Sequence, residues 1–282
     1  MDKTKSTITL TFSERIENHV GMQQIGELAE YGFTVDDLKN AKNNFEDKGL
    51  TCELVLLNDY LPKNKTAEQA GILIIRKGVD LLTDNKTNEM FAEQAKLEFD
   101  KKAYMRGRVV NKNARYNLCF ADIDQEPDYE NKKGRIISFA KLPLLKQVRD
   151  SLDKYIGEKA KGLFAEGNYY YDVATTGIGF HSDLERKMVV AVRLGQSMCL
   201  HYHWFLNCEP IGRRVKLMIN DGDMYIMSEK ASGFDGRKRS QAILRHAAGC
   251  DKYLKLKVKK KKNVPIEKKI IPESKKKLVK KA

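Results

Sequence analysis

The strongest constraint on this chain's fold is a succession of short strand-forming runs in its second half. After Gly167, apolar and β-branched residues cluster at Tyr169–Asp172, Lys187–Leu194, Ser197–Phe205, Val215–Ile219, Met224–Met227, Ala242–Ala247 and Tyr253–Val258, with Gly, Asn and Asp between them. No such segment can bury a face alone, so the spacing predicts an antiparallel sandwich or barrel. Just ahead, Leu145, Val148, Leu152 and Ile156 recur at helical spacing behind Pro143. A helix from Leu142 is therefore expected to brace one outer face.

The first half reads as mixed α/β. Thr34 through Phe45 predicts a helix, with Thr34 as cap, Asp36 and Asp37 in the first turn, Leu38, Ala41 and Phe45 on one face, and Gly49 after the end. Strand-like runs follow at Glu53–Leu57 and Gly71–Arg76, and residues 101–139, rich in Arg, Asn and Tyr, read as exposed strands and loops. No internal repeat divides the chain. The expected organisation is an amino-terminal elaboration and substrate lid over 1–141, a core over 142–258 and a Lys-rich tail over 259–282, in the α+β class.

Composition narrows the setting. With 41% hydrophobic and 32% charged residues, no apolar stretch near the roughly 20 residues needed to span a bilayer, and no signal-peptide order in MDKTKSTITLTF, an intracellular protein without membrane contact is expected. Cys52, Cys119, Cys199, Cys208 and Cys250 are odd in number and form no C-x-x-C pair, which argues for buried free thiols. From Asp251 to Ala282 there are 14 Lys against Asp251, Glu267 and Glu273, so +11 of the net +14 lies there. Such a tail is expected to be disordered, and suits either nucleic-acid phosphates or a solvating or targeting role.

The residues that carry chemistry centre on His181-Ser182-Asp183. Residues two apart on a strand point to the same side, so His181 and Asp183 would present an imidazole and a carboxylate to one point, two of the three ligands of a non-haem iron site. Cys199, His201 and His203 with Cys208 are a rival donor set, but three ligands along one straight strand spread over more than about 12 Å and cannot share an ion. They read better as core or pocket-lining side chains. His19 has no partner pattern and reads as structural.

The ordered run Asn168-Tyr169-Tyr170-Tyr171-Asp172, Gly177-Ile178-Gly179-Phe180-His181-Ser182-Asp183-Leu184-Glu185, Val192-Arg193-Leu194-Gly195 and Asp221-Gly222-Asp223-Met224-Tyr225-Ile226-Met227-Ser228, closing on Arg239 and Arg245, resembles the AlkB-like branch of the iron(II)- and 2-oxoglutarate-dependent dioxygenases. The resemblance covers about Asn168 to Gly249 and implies a double-stranded β-helix, or jelly roll, with supporting helices outside. It implies Fe(II) and 2-oxoglutarate as cofactors, with Asn168 and Tyr170 as polar contacts to 2-oxoglutarate and Arg239 and Arg245 on its carboxylates. Tyr104, Arg106, Arg108, Arg115 and Tyr116 fall where that branch places its substrate lid, and would stack on bases and contact phosphates of DNA or RNA.

One departure leaves the third ligand open, because Met224 to Lys238 contains no His where the branch has one. Asp235 is one replacement. His246 is the other and the preferred one, since Arg245-His246-Ala247-Ala248-Gly249-Cys250 also resembles the distal His of prolyl-hydroxylase-like members, with Lys255 or Lys257 then binding the cosubstrate. Arg245 and His246 cannot both face inward on a regular strand. The expected function is oxidative demethylation or hydroxylation of a nucleic-acid base that is single-stranded or flipped out. The alternatives are a protein prolyl or lysyl hydroxylase, and an inactive basic nucleic-acid-binding module.

Overall fold

The computed structural model describes residues 1–256; Lys257, the end of the run expected at Tyr253–Val258 and the segment 259–282 lie outside the described residues. In chain order the first strands are β1 (Thr7–Ser13), β2 (Arg15–Glu17), β3 (Gln24–Gly26), β4 (Cys52–Leu56) and β5 (Gly71–Ile75). Next come β6 (Lys102–Met105), β7 (Arg108–Asn111), β8 (Tyr116–Ala121), β9 (Ile136–Ser138) and β10 (Phe164–Tyr170). The last six are β11 (Gly177–His181), β12 (Val189–Gly195), β13 (Met198–Leu206), β14 (Glu209–Ile219), β15 (Met224–Met227) and β16 (Ile243–Gly249). The helices are α1 (Val35–Glu46), α2 (Gly78–Leu82), α3 (Thr87–Ala95), α4 (Pro143–Ile156), α5 (Glu229–Ser232) and α6 (Asp251–Leu254). No described helix is long and apolar enough to cross a membrane.

The class is α+β, and most of the structure is antiparallel sheet. One eight-stranded sheet runs β4-β5-β15-β12-β1-β10-β8-β9, and a four-stranded sheet runs β11-β16-β13-β14. Alternation along β12 shows how the layers are filled. Val189 and Ala191 join Leu200, Tyr202, Trp204, Leu244 and Tyr225 in a core shared by the two sheets. Val190, Val192 and Leu194 face the other way, into a core with Leu38 and Phe45 of α1 and Leu145, Val148 and Leu152 of α4. A strand covered on both faces is apolar almost throughout, as the all-buried VVAVRLG run is.

Helices α1 and α4 form as the sequence predicts. Thr34 caps α1 in a reciprocal capping box with Asp37, and Pro143 occupies the first turn of α4. Four expectations need correction. Residues 1–141 do more than elaborate the core over 142–258, because β1 lies between β10 and β12, pairing Thr9 with Asn168 on one side and with Arg193 on the other, while β4 and β5 extend the same sheet past β15. Strand β8 is buried rather than exposed, being paired with β10 along Tyr116–Phe120. The run from Tyr253 begins inside α6, not in a strand, and among the five free cysteines Cys119 alone is fully buried.

Because β1 has neighbours on both edges and Ile8, Leu10 and Phe12 are fully buried, the second half of the chain is incomplete without it. Leu10→Ala is expected to cost about 2–5 kcal/mol in urea unfolding, the range for truncating a buried leucine. A chain lacking residues 1–13 is expected to show no cooperative transition by circular dichroism.

Candidate metal centre

The site is set by how β11 meets β16. Gly177 pairs with Gly249 and Ile178 with Ala248, the register then slips at a bulge, and His181 comes to lie opposite His246. The first pair has to be glycine, since a Cβ on Gly249 would stand 2.3 Å from the Gly177 Cα, and Gly249 has φ +111°. A bulge of this kind re-aims the side chain that follows it. The two imidazoles sit with ring centroids 4.3 Å apart at 61°. Asp183 lies beyond the end of β11, so the expected strand alternation does not place it. Its N–H donates to Ser232 O at 3.0 Å, and Ser182 Oγ donates to Leu244 O at 3.1 Å.

These contacts bring His181 Nε2 to 3.3 Å and His246 Nε2 to 3.6 Å from Asp183 Oδ1, and all three donor atoms fall within 4.8 Å of one another. Neighbouring ligands of one octahedral ion, each at about 2.1 Å, stand about 3 Å apart, so the donors are near a binding geometry. His181 Nδ1 lies 2.9 Å from Gly179 O. A carbonyl only accepts, so Nδ1 donates to it, which leaves Nε2 as the ring atom aimed at Asp183 and His246, the nitrogen a metal would take.

The surrounding charges prepare the donors. Burial drives the His246 pKa down to about 3, with the nearby His181 adding to it, so this imidazole is neutral. Burial would raise Asp183, but the groups around the carboxylate, Arg186 among them, outweigh it and hold it below the usual carboxylate range. Arg186 Nε stands 4.0 Å from Asp183 Oδ2 while Arg186 Nη2 holds Glu166 at 2.6 Å and Glu185 at 2.8 Å. Two imidazoles and one carboxylate, with a guanidinium behind the carboxylate, match the donor set of a divalent transition metal.

The triad opens into a cavity of about 310 Å³ between the sheets. Asn168 and Tyr170 line it as expected, Asn168 Oδ1 accepting from Asn117 Nδ2 at 2.7 Å and from Arg115. Arg115 lines it too, whereas Tyr104, Arg106, Arg108 and Tyr116 do not. Arg106 and Arg108 are exposed on the β6–β7 hairpin, Tyr104 lies under Lys132, and Tyr116 stacks on Tyr171 at 4.8 Å.

Three expected roles are corrected. Arg239 and Arg245 line a second, more open cleft with Arg237 and Phe180 that meets the cavity at His181 and Ser182, and Arg245 lies 4.5 Å over the Phe205 ring, because alternation on β16 turns it away from His246. Asp235 stands outside the donor cluster, paired with Lys230. Lys255 is exposed beyond α6, outside the cavity lining. Cys199, His201 and His203 form no three-donor cluster, the cluster among the described residues being His181, Asp183 and His246.

Three further residues of the cavity wall lie outside the expected site. His19, expected to be structural, forms part of the cavity wall. Arg186 and Arg193 are both buried there, at 4% and 1% exposure. The signal for Arg193 was present, a single charge inside the otherwise apolar run of β12.

No family model matches the chain. It is 48% identical over 257 residues to an uncharacterized protein of Acanthamoeba polyphaga mimivirus, an alignment spanning 90% of this chain and 100% of the viral one. The chain belongs to the family of that viral protein. Identity at this level over the whole relative makes the two folds the same, and the relative's name carries no activity.

The lowered His246 pKa has a definite sign. Unfolded His246 takes a proton as the pH falls through 6.5, whereas folded His246 stays neutral to about 3. The unfolded state therefore binds more protons in that window, and stability of the metal-free protein falls as the pH drops, by up to about 1.4 kcal/mol per unit for this group. Urea unfolding from pH 7 to 4 should show that slope, and His246→Asn should lessen it.

Proposed function

We propose that the protein is an iron(II)- and 2-oxoglutarate-dependent oxygenase acting on nucleic-acid bases. The observation that carries this reading is the convergence of His181 Nε2, Asp183 Oδ1 and His246 Nε2 at the wall of one buried cavity. Two imidazoles and a carboxylate leave coordination positions open for a cosubstrate and dioxygen.

Strand order supports the same reading. In a jelly roll eight strands pass back and forth between two facing sheets, and the last returns beside the first. From β10 to β16 the chain visits the large sheet, the small, the large, the small twice, the large and the small. The eighth place, between β10 and β12, is taken by β1, so the proposed jelly roll is closed by the amino-terminal strand.

Bound at the triad, iron(II) with 2-oxoglutarate supplies hydroxylation of a substrate C–H by dioxygen, the oxo acid leaving as succinate and carbon dioxide; an N-methyl group so hydroxylated is lost as formaldehyde. The chain's own residues do the positioning. Gly179 O fixes the His181 tautomer, Arg186 steadies Asp183, and Val189, Leu200 and Met227 make the cavity wall apolar. Exposed Arg106 and Arg108 on one hairpin, and Arg237 and Arg239 in the cleft beside His181, offer cations to a phosphate backbone.

Protein hydroxylation is the second reading, favoured by one observation: His246 faces the cavity and Arg245 faces away from it, the arrangement of the prolyl-hydroxylase-like pattern. Anaerobic Fe(II) and 2-oxoglutarate should give a weak visible charge-transfer band that is lost in His246→Ala and kept in Asp235→Ala. Absence of the band from wild type would refute both enzyme readings. Succinate release stimulated by methylated oligonucleotides, and not by proline- or lysine-containing peptides, is the outcome expected for the nucleic-acid reading.

A further inference from the structure

Among the buried arginines, Arg193 is the one without an anion. Arg186 is closed by Glu166 and Glu185, and Arg149 by Asp122 at 2.5 Å. Arg193 is 1% exposed, makes no salt bridge among the described residues, and buries Nε and Nη1 with no acceptor. A buried, unpaired guanidinium costs several kcal/mol, and burial duly lowers its pKa. Such a group persists where a ligand completes it.

Its surroundings identify the ligand's class. Alternation on β12 puts Arg193 on the same face as Val189 and Ala191, in the space between the sheets, where it lines the cavity that also holds His181, Asp183 and His246. Thr9, its cross-strand partner, and the buried Tyr170 and Tyr225 line the same cavity, and none of their hydroxyls donates to a protein acceptor among the described residues. A guanidinium fork ringed by hydroxyls is a carboxylate site.

We propose that Arg193, with Thr9, Tyr170 and Tyr225, binds the distal carboxylate of a dicarboxylic 2-oxo acid whose oxo-acid end reaches the metal. The assignment rests on the metal reading above. It moves the anchoring role to a strand to which neither sequence pattern assigned it, Arg239 and Arg245 lying mainly in another cleft and Lys255 outside the cavity.

The test uses the full chain without oxygen, with Mn(II) in place of iron. Mn(II) binding is followed by paramagnetic resonance, and 2-oxoglutarate and pyruvate, which shares the oxo-acid end but lacks the distal carboxylate, are then titrated by calorimetry. Wild type should favour 2-oxoglutarate over pyruvate by roughly 10–100-fold, the range for hydrogen bonds to a charged group. Arg193→Met should bind Mn(II) as wild type does, lose that preference, and unfold at a higher temperature when ligand-free because the uncompensated charge is gone. Arg239→Ala and Arg245→Ala should leave the preference intact.

Should Arg193→Met fail to fold, Arg193→Lys, expected to keep part of the preference, and the two ligands on wild type carry the test. Preference retained in Arg193→Met, preference lost in Arg239→Ala, or displacement of 2-oxoglutarate by equimolar inorganic phosphate would each overturn the assignment while leaving the metal site standing. No Mn(II) binding by wild type would overturn the metal reading and this assignment together.

Discussion

Everything proposed for this protein depends on one antiparallel pairing, that of β11 with β16. The pair starts in register at two glycines whose backbones touch, slips at a bulge, and sets His181 directly across from His246. Because β16 is also paired with β13 on its other edge, from Leu200–Ala248 to Phe205–Ile243, His246 sits on an interior strand with little freedom. Asp183 is added from the loop after β11, pinned by Ser232 O. A one-residue slip of β16 would turn His246 outward and bring Arg245 in, because the side-chain period of a strand is two.

The charges around the cavity divide into those that are satisfied and one that is not. Arg186 is enclosed by Glu166, Glu185 and Asp183, a network that is complete without any ligand and that keeps Asp183 in its ionised form. Among the described residues Arg193 has no such partner. One buried cation is thus closed by carboxylates of the protein itself, while the other faces the cavity unpaired. Strand β1 links the two ends of this arrangement, pairing with β10, which carries Glu166 and Asn168, and with β12, which carries Arg193.

Local signals carried much of this into the sequence. The cap at Thr34, the periodicity of α4 and the short strands from β12 to β15 are readable because each depends on neighbours within a few residues. His181 and Asp183 stood out by spacing, yet the geometry that joins them is a bulge and a loop, not the simple alternation their spacing suggests. His246 was legible only as one of two options, since the choice turns on which face of β16 meets the cavity, a matter of register. The place of β1 was hidden for a stronger reason: its partners lie more than 150 residues away, and nothing in Thr7–Ser13 names them. Arg193 and Arg186 went unread because their meaning lies in having or lacking a buried partner.

In the proposed site two imidazoles and one carboxylate hold a single iron ion. Iron K-edge X-ray absorption of the anaerobic Fe(II)-loaded protein tests it most directly. The spectrum predicted is that of a single iron bound only by oxygen and nitrogen, with multiple scattering from two imidazoles that falls to one in His246→Ala. Sulfur in the coordination shell, or an imidazole count unchanged by that substitution, would contradict it.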